Sequence, residues 1–260
     1  MVVHTAVWSA VPRCRSLVGM TTIGMLGGMS WESTALYYRL ANELVRDRRG
    51  GLASADLLVR SVDFAAVREL QLQDRWDDAA DLLLREARAL EAAGADLLLL
   101  CTNYMHKTAP VLEAGLAVPF LHIADVAAGA ARALGATRVG LTGAAATMAE
   151  PFYAERLATH GLDVVVPDEG DRARLDRAIF DELCRGVLSD DTRTALRGVL
   201  ARLVERGAEA VVLGCTELEL LLDAGDCAVP LLPTARLHVE AAVDAALAPS
   251  RSGPTPETRS

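Results

Sequence analysis

The apolar positions of this chain fall into an alternation of short runs and long periodic stretches. "TIGML" is a brief apolar run that leads into the glycine loop "GGMS", and "WESTALYYRLANELVRDR" then carries apolar residues at three- and four-residue spacing. The first pattern predicts a strand and the second a helix with one buried face. "ADLLVRSVDF" reads as the next strand. "DRWDDAADLLLREARALEAAG" reads as a long helix, acidic in its first turn and closed by Gly94. "ADLLLLC" is apolar almost throughout, as expected of a strand covered by helices on both faces. After Pro119 the order repeats through "FLHI", "ADVAAGAARALG", "RVGLTG", "EPFYAERLATHG" and "DVVVP". A long helical segment from Asp171 then leads to "AEAVVLGCTELELLL", "VPLLP" and a last helix, "ARLHVEAAVDAAL". This alternation predicts an α/β fold with parallel sheets flanked by helices, right-handed crossovers and a site at the carboxyl ends of the strands.

Two segments match one another. Gly94-Ala95-Asp96 precedes Leu97 to Leu100 and Cys101-Thr102-Asn103; Gly207-Ala208-Glu209 precedes Ala210 to Leu213 and Gly214-Cys215-Thr216. Counted from the glycine, Cys101 pairs with Gly214, Thr102 with Cys215 and Asn103 with Thr216. Successive side chains of a strand face opposite ways, so if Cys215 projects into a cleft, Thr102 does too and Cys101 points into the packing behind. A buried, inert Cys215 is the competing account. The polar residues that follow each strand, "TNYMH" and "CTE", favour a site, because packing alone does not need them there.

Composition narrows the chemistry. The chain has 260 residues, 52% of them apolar, with no apolar run long enough to cross a bilayer. A formal charge of −9 and the lack of a basic stripe argue against a nucleic-acid partner. Lys107 is the only lysine, which leaves a Schiff-base cofactor one poor address. The cysteines at 14, 101, 184, 215 and 227 lack Cys-x-x-Cys spacing and the five histidines are scattered, so neither a disulfide framework nor a metal cluster is expected, and a reducing cytoplasm is. Residues 1–20 hold Pro12, Arg13 and Arg15 where a signal peptide needs its apolar run or cleavage site; they are expected to form a leader without fixed structure. The tail 249–260 is too polar and broken to pack.

"IGMLGGMSWESTALYYRLAN", "CTNYMHK" and "LGCTEL" resemble the cofactor-independent aspartate/glutamate racemase family, and the likeness extends over most of residues 22–247. The resemblance implies two similar Rossmann-like α/β domains with the active site in the cleft between them. Residues 21–117 with 229–248 are expected to form the first and 118–228 the second. It also implies a homodimer, no cofactor and a small amino-acid substrate, with a cysteine from each domain on either side of the substrate α-carbon. Here Gly214-Cys215-Thr216 keeps the second family motif. In the first, Thr102 stands where a cysteine is usual and Tyr104 replaces a threonine; a branch with the same "GGMSWEST" and "MHK" also has this threonine and is associated with L-enantiomers of acidic amino acids. Pro233 stands where the family usually has an aspartate.

The expected catalytic pair is therefore Cys215 as base and Thr102 as proton donor or relay, supplied from water or His106. A free thiol near pKa ~8.5 is mostly protonated at pH 7, and the amides around Gly214 and Thr216 are expected to favour its thiolate. The loop of Gly27, Gly28, Met29 and Ser30 is a candidate cradle for a carboxylate, although a glycine pair is more often a plain turn. By resemblance Gln71 and Thr147 are substrate contacts, against a helix start and an N-cap respectively. Asn103 and Thr216 follow the catalytic positions directly, and Tyr104 follows Asn103. His106 and His238 are candidates to orient a carboxylate, against structural roles. Arg172, Arg174 and Arg185 are candidates for a distal carboxylate, against a solvated surface. Glu217 replaces the histidine that glutamate racemases tend to show. Two other readings keep the fold: a single-cysteine decarboxylase, separated by carbon dioxide release from substituted malonates, and a non-catalytic amino-acid-binding homologue, separated by ligand stabilisation without α-proton exchange.

Overall fold

The computed structural model describes residues 20–248. The expected leader and tail lie outside the described residues, except Met20, which is already buried in the first core.

Two lobes repeat one plan. In the first, β1 (Ile23–Gly27), α1 (Trp31–Arg49), β2 (Leu57–Ser61), α2 (Phe64–Leu72), α3 (Trp76–Ala93), β3 (Leu97–Leu100), α4 (Ala109–Gly115) and β4 (Phe120–Leu121) follow in order. The second holds α5 (Ile123–Ala133), β5 (Arg138–Gly143), α6 (Ala145–Ala149), α7 (Pro151–Thr159), β6 (Asp163–Val165), α8 (Glu169–Arg177), α9 (Asp190–Glu205), β7 (Ala210–Gly214), α10 (Leu218–Leu221) and β8 (Leu231–Pro233), and α11 (Thr234–Leu247) is the last helix of the described residues. The sheets run β2-β1-β3-β4 and β6-β5-β7-β8, every pairing parallel. β3 and β7 thus occupy equivalent places.

The Gly-Ala-acid repeat has one physical cause in both lobes. Gly94 and Gly207 end their helices with positive φ, and Ala95 and Ala208 are both buried. The acid then ties down the start of the neighbouring strand. Asp96 accepts the Thr22 amide at 3.0 Å, and Glu209 accepts those of Thr137 and Arg138 at 2.6 and 3.1 Å.

The boundaries expected at 117/118 and 228/229 move. β4 completes the first sheet and β8 the second before the chain changes lobe, so the crossings fall at 121/122 and 233/234. α11 returns to the first lobe, where Val239, Ala242 and Val243 pack with Met25, Tyr37 and Leu99. "ADLLVRSVDF" is strand only to Ser61; Asp63 caps α2, accepting the Ala65 amide at 3.0 Å, and so starts a helix the pattern did not announce. The single helix expected from Asp171 is broken. After α8 the backbone widens into a π turn at Ala178–Glu182 and tightens into a 3₁₀ turn at Leu183–Arg185 before α9. No helix of the described residues is long and apolar enough to cross a membrane.

Candidate active site

A cavity of about 580 Å³ opens between the lobes at the carboxyl ends of the strands. β3 delivers Thr102, Asn103 and Tyr104 to its wall, and β7 delivers Gly214, Cys215, Thr216 and Glu217. Met29 and Ser30 reach it from the loop after β1, Gln71 from α2 and Thr147 from α6. Cys101 is fully buried among the apolar side chains of the first core, on the far side of the strand from the cavity. Thr102 is half-buried and faces the space it shares with Cys215.

Around Cys215 the chemistry differs from expectation. Its thiol donates to Glu217 Oε2 at 2.9 Å. Burial, the Glu217 charge and that hydrogen bond hold the thiol well above its ordinary range, and a hydrogen bond from the Glu217 backbone offsets only part of this. The strand-end amides therefore do not make a resting thiolate. Cys215 rests as a thiol aimed at a carboxylate. Glu217 also accepts the Thr216 hydroxyl at 2.9 Å, and Thr216 lies 2.6 Å from Ser33 Oγ on the opposite lobe.

Several expected contacts have other duties. The Gly28 amide donates to Thr34 Oγ1 at 2.8 Å, and Gly28 is absent from the cavity wall. Its φ of 93° and the Val62 carbonyl, 2.2 Å from where a Cβ would sit, explain the glycine as a backbone crossing. Ser30 lines the cavity but also caps α1, accepting the Ser33 amide at 3.3 Å. Asn103 is buried: its amide donates to Thr234 Oγ1 at the start of α11 at 3.0 Å, and its oxygen accepts across the lobes from the Tyr153 hydroxyl at 3.0 Å. The Tyr104 hydroxyl donates to Glu150 at 2.6 Å, and Lys107 pairs with the same carboxylate at 2.6 Å while lying 3.8 Å over the Trp76 ring. Gln71 donates to Met105 Sδ at 2.8 Å and accepts from Arg68 at 3.0 Å. Thr147 is buried inside α6, whose N-cap is Ala144.

His106 is not free to relay protons to Thr102. Its Nε2 accepts the Ile123 amide at 3.2 Å, so Nδ1 carries the proton and donates to the Thr102 carbonyl at 2.7 Å, leaving the hydroxyl untouched. His238 is likewise buried, between the Tyr37 hydroxyl and the Leu121 carbonyl. Arg172 and Arg174 are absent from the cavity wall, Arg174 pairing with Asp171; Arg185 is absent from it too but lines an adjoining cavity with Ser30, Ser33, Thr216 and Glu217.

Residues the sequence reading passed over complete the wall. Arg68 and Phe64 come from α2; Asp176, Ile179, Phe180 and Cys184 come from α8 and the broken segment after it. Asp63 before "FAAVREL" was the available sign of α2. Nothing in the apolar spacing marked the π turn that carries Phe180, or the 3₁₀ turn that carries Cys184, to the cavity wall. Burial, with Glu217 and Glu32 nearby, pushes the Cys184 thiol up to about 11.

Comparison with known proteins agrees with this architecture. The chain superposes on a candidate Asp/Glu racemase from Yersinia pestis with a TM-score of 0.84 and 43% identity, covering 88% of this chain and 100% of that one. An aspartate racemase homologue from Pyrococcus horikoshii gives 0.80 and 32%, covering 87% and 99%. A double mutant of arylmalonate decarboxylase, at 0.50 and 16% over 90% and 96%, shares the fold alone. The sequence profile of the Asp/Glu/Hydantoin racemase family matches residues 26–242. The chain therefore belongs to the Asp/Glu/Hydantoin racemase family.

Proposed function

We propose that this protein racemises an acidic or closely related amino acid without a cofactor, with Cys215 and Thr102 on opposite faces of the substrate α-carbon. One observation carries the reading: a thiol and a hydroxyl, each just past the end of an equivalent strand, line one cavity, and the thiol already donates to a carboxylate. Passing the thiol proton to Glu217 breaks an S–H bond, forms an O–H bond and leaves a thiolate able to take the α-proton. The Thr102 hydroxyl is too weak an acid to serve as that base, yet it can deliver a proton to a strongly basic carbanion on the other face. The proton gained at Glu217 and lost at Thr102 are then made good by exchange with solvent. The pair is unequal, so the enantiomer whose α-proton faces Cys215 reacts faster, while the equilibrium between enantiomers stays at unity.

Arg68 is the one basic side chain on the described wall, opposed by Asp176 and Glu217. Arg68 can pair with one substrate carboxylate, and Asp176 or Glu217 with the substrate ammonium.

The test is solvent-deuterium incorporation at the α-carbon of L- and D-aspartate and L- and D-glutamate, with Cys215→Ala as the control. Exchange is expected to be faster from one enantiomer and to vanish in the control. Equal initial rates from both enantiomers would refute the unequal pair. The presence of a single thiol in the catalytic pair also suits decarboxylation, and carbon dioxide release from a substituted malonate, without α-proton exchange of any amino acid, would select that chemistry instead.

A further inference from the structure

The polar contacts of the Cys215 thiol continue across the cleft. Glu217 Oε2 accepts the Thr216 hydroxyl as well as the thiol. Thr216 Oγ1 lies 2.6 Å from Ser33 Oγ, and Ser33 Oγ lies 3.1 Å from Ser30 Oγ. A hydroxyl has one proton to give, so the directions follow by counting. Thr216 gives its proton to Glu217, Ser33 must then donate to Thr216, and Ser30 to Ser33. Every hydrogen in the row points toward Glu217, and each bond polarises the next. Ser30 and Ser33 belong to the first lobe and Thr216, Glu217 and Cys215 to the second, so the row is complete only when the lobes meet.

We propose that Ser33 is a positioning residue which, through Thr216, holds the Glu217 carboxylate against the Cys215 thiol and so makes proton transfer from that thiol depend on lobe closure. The proposal rests on the reading of Cys215 as the α-proton base. Hydroxyl donors spread the negative charge of Glu217; with fewer of them that charge opposes a neighbouring thiolate more strongly, and Cys215 becomes harder to ionise. Around the pair stand the acidic Cys184, Glu32 and Glu219 and, on the cavity walls that Glu217 lines, Arg68 and Arg185; Arg68 donates to Gln71 and Arg185 pairs with Asp181, so neither arginine takes the place of the hydroxyl donors at Glu217.

Ser33→Ala tests it in two independent ways. The pH dependence of Cys215 alkylation by iodoacetamide, read by mass spectrometry, needs no substrate; its midpoint is expected to rise by roughly half a pH unit, about threefold in thiolate fraction. Solvent-deuterium exchange from the preferred enantiomer is expected to fall about tenfold, mainly in kcat, as for loss of one buried hydrogen bond. Ser33→Thr, which keeps the hydroxyl, should restore both. In a Glu217→Gln background Ser33→Ala should add nothing. An unmoved alkylation midpoint, or an undiminished effect in that background, would overturn the proposal. Should Ser33→Ala fail to fold, Thr216→Val breaks the row from the other lobe and is read the same way. A wild-type protein that exchanges no amino-acid α-proton, yet shows the shifted midpoint in the variant, would remove the racemase reading and leave the positioning role standing.

Discussion

The ends of β3 and β7 occupy the same place in their sheets, yet each rests on a different kind of support. Behind β3 lie three imidazoles. His106 holds the Thr102 carbonyl, with the His122 ring 4.6 Å and the His238 ring 5.8 Å away. Burial drives all three toward the neutral form, His122 down to about 3 and His238 to about 4. Beside β7 stand carboxylates: Glu217 touches the Cys215 thiol, and burial pushes Glu219 up to about 7. The positions before Thr102 and Cys215 differ as well. Cys101 is a buried filler of the first core, whereas a Cβ at Gly214 would sit 2.6 Å from the Thr142 carbonyl. The repeated backbone plan places both side chains on one cavity; the residues after each strand decide which of them has a carboxylate to donate to.

Glu217→Gln attacks the acidic side of this contrast and should have the largest effect. Without the carboxylate the thiol loses its proton acceptor, and exchange is expected to fall by about a hundredfold or more. The same change removes the charge that opposes a thiolate, so Cys215 should alkylate faster at neutral pH. Slower catalysis with a more reactive thiol is the signature to look for. If both rates fall together, Glu217 is a packing residue and the two ends are less different than they look. Thr102→Cys makes the ends more alike. It should raise exchange from the slower enantiomer by about tenfold or more, because a thiol ionises to a usable base far more readily than an alcohol. No gain from that enantiomer would mean that the neutral surroundings of β3, and not the missing sulfur, limit that face.

Much of this contrast could be seen in the chain itself. The Gly-Ala-acid repeat gave the register of both strands, because a strand's two-residue period leaves one choice once an end is fixed, and Cys101 and Thr102 separate accordingly. The lobe crossings were placed too early because Phe120–Leu121 and Leu231–Pro233 are only two and three residues long, too short to show a period. Polar roles were the least legible. Asn103 and Tyr104 line the cavity as read, but they also bond to Tyr153, Thr234 and Glu150, partners set by packing that no spacing announces, and Gly28 is off the wall and donates to Thr34. The hydrogen-bond acceptor of the Cys215 thiol lay two residues away in "CTE" and was passed over in that role, since no periodicity says which way a side chain after a strand will turn.

Acid should separate the two ends thermodynamically. His238 is held near 4 in the fold against ~6.5 in an unfolded chain. Between those values the unfolded chain binds a proton that the folded chain refuses, so stability falls as pH drops from 6.5 toward 4, by up to about 3 kcal/mol for this residue. Glu219 acts in the opposite sense. Its folded value near 7 lies above the usual 4.5, so the fold gains a proton first and is favoured as pH falls between the two. Urea midpoints at pH 7.5 and 5.0 should show a smaller acid loss for His238→Gln and a larger one for Glu219→Gln. Equal slopes in wild type and both variants would contradict the assignment of neutral support to one end and acidic support to the other.

Tyr104→Phe probes the rim of the β3 end and should change least. The lost hydroxyl bond to Glu150 is only partly buried, and Lys107 keeps its pair with that carboxylate. The ring stays 5.4 Å from Trp76 and 6.1 Å from Phe152. One such bond is worth about 1 kcal/mol, which at this size corresponds to a fall in Tm of roughly 2–4 °C. Exchange should stay within about twofold of wild type, because the hydroxyl points at the other lobe and not at the cavity centre. A tenfold rise in KM with an unchanged Tm would reverse the assignment: Tyr104 would then be a substrate contact, and the β3 end would contribute its own polar recognition in addition to the Thr102 hydroxyl.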